Sequence, residues 1–159
     1  MLDSPDVDFA LAAFHVDGAW QVAEIAGTAL VDLDTLAAGL RRFPADGGAL
    51  AMIGLDEETF LLVRANGPRV RVLLSDVTAA DEWDLARDVV EHLGLPFPED
   101  EDDPEPAGDM ELLADLGVQV ADLGELLDGD LYADEVLSDI AARLGFGPAF
   151  DDAVGLTNA

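Results

Sequence analysis

Residues 49–75, ALAMIGLDEETFLLVRANGPRVRVLLS, decide how this chain folds. Three mainly apolar runs, Ala49 to Leu55, Thr59 to Ala65 and Arg69 to Ser75, are separated by the groups DEE and NGP. Apolar runs of this length between turn signals are typical of β-strands joined by hairpins. In the third run arginines alternate with valines, a pattern typical of a sheet with one face in water. The stretch therefore predicts three strands of an antiparallel sheet.

The sequence before this stretch predicts two more strands and one helix. Val7 to Val16 and Ala19 to Ile25 are strand-like, and the Asp17-Gly18 pair between them favours a two-residue hairpin turn. Asp32 or Asp34 can cap a short helix. The apolar residues of that helix fall on one face: Leu33, Leu36, Ala37 and Leu40.

After the third run, apolar residues recur at helical spacing, which predicts a longer helix from Ser75 or Asp76 to Gly94 and Pro96. The residues concerned are Ala79, Trp83, Ala86, Val90 and Leu93. The predicted order is ββαβββα. It favours an α+β fold, an antiparallel sheet of about five strands with two helices on one face.

The remaining sequence predicts three further regions beside the sheet domain of residues 1–95. Residues 96–109 form an acidic, proline-containing linker with the composition of a disordered segment. Residues 110–147 predict a small helical segment of three short helices, too small to be stable without support from the sheet domain or a partner. Residues 148–159 are expected to form a tail.

Charge restricts the partners of this protein. The chain has 35 acidic residues, seven arginines, no lysine and a net charge of −28. Residues up to Leu95 carry 17 acids and six arginines (net −11), and the rest carry 18 acids and one arginine (net −17). Such a surface repels nucleic-acid phosphates and anionic lipid, so we expect a protein partner and no direct contact with nucleic acid or membrane. A homodimer is left open.

The sequence contains no recognisable catalytic or metal site. There is no cysteine, and His15 and His92 are not tied to each other by any motif. The serines lack the GxSxG setting of a nucleophile, and the run from Asp100 does not match a calcium loop because Glu105 stands where glycine is required. We therefore expect no enzyme activity, no catalytic residues, no cofactor and no metal. The acidic N-terminus and short apolar runs predict a cytoplasmic protein without a targeting or membrane segment.

Two charged groups have alternative interpretations. Arg64, Arg69 and Arg71 would lie on neighbouring strands, where they either pair with acids on the wet face of the sheet or form a patch for an acidic partner. The acidic linker is either a solvated spacer or a polyanion that docks on a basic surface.

Four segments resemble the actinobacterial tRNA adenosine deaminase-associated proteins. They are FALAAF in the first strand, LLSDVTAADEWDLA (73–86), AGDMELLADLG (107–117) and IAARLGFG (140–147). The resemblance covers nearly the whole chain, and its most specific pieces are SDxxAA and GDxxLLADLG. It implies a protein that works with the zinc enzyme converting adenosine to inosine in tRNA. It supplies no catalytic residues, and the chain lacks the H-x-E and P-C-x-x-C signature of the deaminase itself.

The leading hypothesis is a non-catalytic accessory protein that binds the deaminase and competes with tRNA for its basic surface. The residues expected to bind the partner are acidic and lie in the linker and just after it: Glu99, Asp100, Glu101, Asp102, Asp103, Glu105, Asp109, Glu111 and Asp115. The alternative is a small acidic chaperone-like module that binds an unrelated protein client.

Overall fold

The chain folds around one antiparallel β-sheet with helices on both faces. The computed structural model describes residues 9–25, 32–43, 48–55, 58–66, 69–81, 83–94, 106–128 and 132–154. The strands, in the spatial order β2-β1-β3-β4-β5-β6, are β1 (Phe9–Val16), β2 (Ala19–Glu24), β3 (Ala49–Gly54), β4 (Phe60–Asn66), β5 (Arg69–Leu74) and β6 (Ala107–Gly108). The helices are α1 (Leu33–Leu40), α2 (Asp84–Leu93), α3 (Val120–Asp128), α4 (Ala133–Leu144) and α5 (Gly147–Val154). The predicted α+β class is confirmed, with six strands in place of about five.

Alternate residues of β1, β3, β4 and β5 enter two separate apolar cores. Leu61 and Val63 of β4 pack with α1 and α2, whereas Phe60 and Leu62 pack with α3, α4 and α5. Every residue of β3 is buried. The predicted wet face is therefore wrong, because the C-terminal helices cover it. The division of the chain into domains stays a prediction, but the described residues after 106 share a core with the sheet.

The sequence locates the start of α1 correctly and that of α2 too early. Asp32 caps α1, with its Oδ1 accepting a hydrogen bond from the Thr35 backbone N–H at 2.7 Å. The single helix predicted from Ser75 or Asp76 is instead a 3-10 turn at Val77–Asp81 followed by α2. The predicted end at Gly94 is confirmed, since this residue has the left-handed backbone (φ 73°) typical of a helix C-terminus.

The C-terminal region differs from its prediction at three points. The first of its predicted helices, around Met110 and Leu113, is a turn followed by a 3-10 turn at Ala114–Leu116. Where a tail was predicted, α5 forms and buries Phe150 completely. Ala107–Gly108, predicted as linker, joins the sheet as β6 beside Leu73 and Leu74. Residues 95–105 lie outside the described part of the chain.

Replacing Gly108 with alanine is expected to destabilise the protein by at least about 2 kcal/mol. The residue has φ +129°, and an added Cβ would lie 2.3 Å from the Val72 carbonyl oxygen, which is backbone and cannot turn aside. Urea unfolding measures the effect. Gly124→Ala is the matched control: Gly124 lies inside α3 with nothing within 4 Å of an added Cβ, so the change is expected to stabilise by about 0.5–1 kcal/mol. Equal effects of the two changes would contradict the close approach of β6 to β5.

Candidate functional site

Two arginines lie directly opposite each other in the sheet. Arg64 of β4 pairs in register with Arg71 of β5, and both belong to the face covered by the C-terminal helices. Arg64 is only 4 % exposed. Like charges in this arrangement repel, and a buried charge is costly unless it is paired and hydrogen-bonded. The sheet therefore needs carboxylates at this position.

Two aspartates, one at the end of the acidic linker and one shortly after it, supply these carboxylates. Arg64 donates to both oxygens of Asp115, from Nη1 to Oδ1 at 2.6 Å and from Nη2 to Oδ2 at 2.9 Å. The same Nη1 donates to the Leu112 carbonyl at 2.8 Å. Arg71 donates from Nε to Oδ2 of Asp109 at 2.6 Å. Arg64, Arg71, Asp109 and Asp115 are called the arginine–aspartate cluster below.

Pairing between arginine and aspartate favours the charged forms of the groups in the cluster. The hydrogen bond from Arg71 lowers the pKa of Asp109, and that from Arg64 lowers the pKa of Asp115; in both cases partial burial opposes the shift without reversing it. The hydrogen bond to Asp109 raises the pKa of Arg71. All three groups are therefore charged at neutral pH. Because each aspartate has a lowered pKa in the folded state, the stability from its pairing is present above its ordinary pKa of 3.8 and is lost as the pH falls through the lowered value.

The backbone of AGDMELLADLG positions the two aspartates. Asp109 donates its N–H to the Val72 carbonyl at 2.8 Å, which extends the pairing of β6 with β5. Its side-chain Oδ1 accepts from the Glu111 N–H at 2.9 Å, which closes a local turn. Leu112 and Leu113 are fully buried beneath this turn. The motif therefore anchors the C-terminal helices to the sheet.

The other specific motif, SDVTAA, also makes structural contacts. Ser75 Oγ accepts from the Phe60 N–H at 2.8 Å and so ties the end of β5 to the start of β4. Asp76 Oδ1 accepts from the backbone N–H and the hydroxyl of Thr78, at 2.9 and 2.6 Å, and caps the 3-10 turn. Through these contacts, both motifs therefore stabilise the fold.

The structure brings together only part of the predicted partner-binding set. Asp109 and Asp115 are joined to arginines, while Glu111 between them is exposed. The other six residues, from Glu99 to Glu105, lie outside the described residues. Partner binding by these nine residues stays a prediction. Of the two interpretations of the arginines, pairing with acids is confirmed for Arg64 and Arg71, although the acids belong to the covering segment and not to a wet face.

The histidines and an acidic cleft are separate from this cluster. His15 packs edge-on against Trp20, and His92 places Nε2 3.3 Å from the Val70 carbonyl. A cleft of about 320 Å³ is lined by Asp32, Leu33, Asp34, Asp88, Glu91 and His92. Within the described ranges, no group of three or more histidine, aspartate or glutamate side chains has a geometry that could hold a metal ion. The helices described also include none of the length and apolarity needed to cross a membrane.

Fold and cluster together define an α+β sheet protein whose specific sequence motifs make structural contacts. The model of a known family, Rv3753c-like tRNA adenosine deaminase-associated protein, matches residues 8–147. The chain belongs to this family, which confirms the resemblance inferred from its sequence. It is 38% identical over 148 residues to Protein Rv3753c of Mycobacterium tuberculosis strain H37Rv, covering 91% of this chain and 85% of that protein. No solved structure matches the chain.

Proposed function

We propose that this protein is a non-catalytic, cytoplasmic accessory protein that binds a tRNA adenosine deaminase. The observation that carries the proposal is the combination of membership in a deaminase-associated family with a net charge of −28. An enzyme that grips tRNA presents a basic surface, and a polyanion is attracted to such a surface. The accessory protein then competes with tRNA for that surface.

The arginine–aspartate cluster supports a narrower choice of docking residues within the predicted set. The charges of Asp109 and Asp115 are largely neutralised in their ion pairs with Arg71 and Arg64. Glu111 is exposed and has no arginine bound to it among the described residues. Most of the attraction therefore comes from Glu111 and from the six linker acids before Asp109, which are Glu99, Asp100, Glu101, Asp102, Asp103 and Glu105.

A competition measurement tests the proposal. Labelled tRNA bound to the purified deaminase is titrated with the full-length chain, and tRNA release is followed by fluorescence anisotropy. We expect release at low salt and its loss toward 1 M salt, where the Debye length falls to about 3 Å. A variant with the six linker acids changed to their amides is expected to compete at least tenfold less well. Substitutions are preferable to a chain ending at Leu95, because that truncation would uncover the apolar face beneath α3–α5.

Three outcomes distinguish the hypotheses. Unchanged or increased tRNA affinity in the presence of the chain would contradict competition. Equal competition by the amide variant would show that the linker is a spacer. Binding of the deaminase that persists unchanged in high salt would favour the chaperone-like alternative, in which apolar contacts dominate.

A further inference from the structure

Acidic side chains are concentrated on the C-terminal helices. The helices α3, α4 and α5 carry one arginine and seven described acidic side chains, none of them buried: Asp122, Glu125, Asp134, Glu135, Asp139, Asp151 and Asp152. These described side chains sum to a charge of −6. On the opposite face, α1 and α2 with the residues flanking α1 carry four described acids and three arginines. The two faces of the protein therefore differ strongly in charge.

The single arginine of the C-terminal helices forms ion pairs with neighbouring carboxylates. Arg143 donates from Nε to Asp139 Oδ1 at 2.8 Å, and its Nη1 lies 3.7 Å from Asp122 Oδ1. The hydrogen bond to Asp139 and the field of Asp122 and Glu125 raise the pKa of Arg143. It therefore offers little attraction to an incoming anion, and the field of the surrounding acids dominates.

The same helices carry the exposed large apolar side chains found among the described residues. Tyr132, at the start of α4, is 54 % exposed, and Val120, at the start of α3, is 44 % exposed. The backbone N–H of Tyr132 donates to Glu135 Oε1 at 3.2 Å, and this capping bond holds the backbone at the start of the helix. Protein interfaces are enriched in tyrosine, and charged residues are typical of their rims.

We infer that the outer surface of α3, α4 and α5 docks a lysine- and arginine-rich protein surface, with Tyr132 as its aromatic anchor. This surface is called the outer helical surface. Its charge repels nucleic acid and anionic lipid, which leaves a basic protein as its complement. The inference rests on the proposed function for the identity of the partner, which is the deaminase. It adds a second contact region to the linker acids.

The edge formed by β5 and β6 is a weaker candidate for this role. There Arg64, Arg69 and Arg71 are matched by Asp109, Glu111 and Asp115, so positive and negative groups are equal in number. A basic partner gains less from a balanced edge than from a surface of net charge −6.

Two matched triple variants of the full-length chain test the inference by calorimetric titration against the purified deaminase. Glu125→Gln/Asp134→Asn/Asp152→Asn changes the outer helical surface, and Asp17→Asn/Asp34→Asn/Glu91→Gln makes the same change in net charge outside these helices. The six side chains form no ion pair within the described residues. At low salt we expect the first variant to bind about tenfold more weakly and the second less than threefold. Equal losses would overturn the inference.

Tyr132 gives an independent readout. Tyr132→Ala is expected to weaken binding about tenfold both at low salt and at a moderate salt concentration where wild-type binding is still measurable, because the loss is apolar, whereas Tyr132→Phe keeps most of the affinity. Circular dichroism verifies that each variant is folded. Unchanged binding by Tyr132→Ala would show that the tyrosine does not contact the partner, and its role as an aromatic anchor would be wrong.

The experiments distinguish an error in the proposed partner from an error in the proposed docking surface. If the wild-type chain does not bind the deaminase, the proposed function is wrong. The ¹⁵N-labelled chain, with Glu111 and the six linker acids changed to their amides, is then titrated with an arginine nonapeptide, and the amide shifts locate the contact. Shifts concentrated on α3–α5 support the outer helical surface, and shifts concentrated elsewhere overturn it.

Discussion

Replacing Phe150 with alanine is expected to lower the free energy of unfolding by about 3–4 kcal/mol. Phe150 has no exposed surface, and its ring meets that of Phe9 edge-on at 5.8 Å between centroids. The change removes a large side chain from the core beneath α5 and leaves a cavity that the surrounding backbone cannot fill. Equilibrium unfolding in urea, followed by tryptophan fluorescence, measures the loss.

The control for this prediction lies in the same helix. Asp152 is exposed, and Asp152→Ala is expected to change stability by no more than about 0.5 kcal/mol. A loss below about 1 kcal/mol for Phe150→Ala would show that residues after 147 are not packed in solution, as the sequence alone predicts.

The predictions that succeeded depend on local patterns. Apolar runs bounded by turn residues fix β3, β4 and β5 to within a residue, because strand pairing through short hairpins joins segments that are adjacent in sequence. Asp32 was among the two predicted caps of α1 for the same local reason. These signals place the first five strands, α1 and the end of α2 without any knowledge of the rest of the chain.

The features that sequence could not supply depend on distant contacts. Alternating arginines and valines in β5 indicate a wet face only if nothing covers them. The aspartates that pair with Arg71 and with Arg64 of the neighbouring β4 lie 38 and 51 positions further along the chain. The segment GFGPAF looks like an irregular tail, yet Gly147 begins a helix in which Pro148 is tolerated because it lies in the first turn. Burial of Phe150, not local propensity, decides that this helix forms.

Part of the arginine–aspartate cluster could have been found from sequence. A hairpin turn at NGP makes Arg64 and Arg71 cross-strand partners. Two arginines opposite each other require acids nearby. The sequence offers many carboxylates, so it does not say which two are used. Only the register of β6 on β5 and the turn after Asp109 identify Asp109 and Asp115.

Replacing Asp115 with alanine is expected to destabilise the protein by about 2–3 kcal/mol, below the range for a fully buried pair because the Asp115 side chain is 60 % exposed. The loss arises mainly at Arg64, whose side chain is 5 % exposed and would keep its charge without its bidentate carboxylate. Asp139→Ala is the matched control. It breaks the exposed pair with Arg143, in which both side chains are about two-fifths exposed, and is expected to cost no more than about 0.5 kcal/mol.

The second substitution that completes this test removes the buried charge itself. In Arg64→Met/Asp115→Ala an apolar side chain of similar length occupies the Arg64 position, so the double variant is expected to be more stable than Asp115→Ala alone. The difference between wild type and Asp115→Ala is also expected to shrink as the pH falls below 3.8, since protonation of Asp115 removes its charge from the pair. A double variant less stable than Asp115→Ala would show that Arg64 stabilises the fold through contacts other than this ion pair.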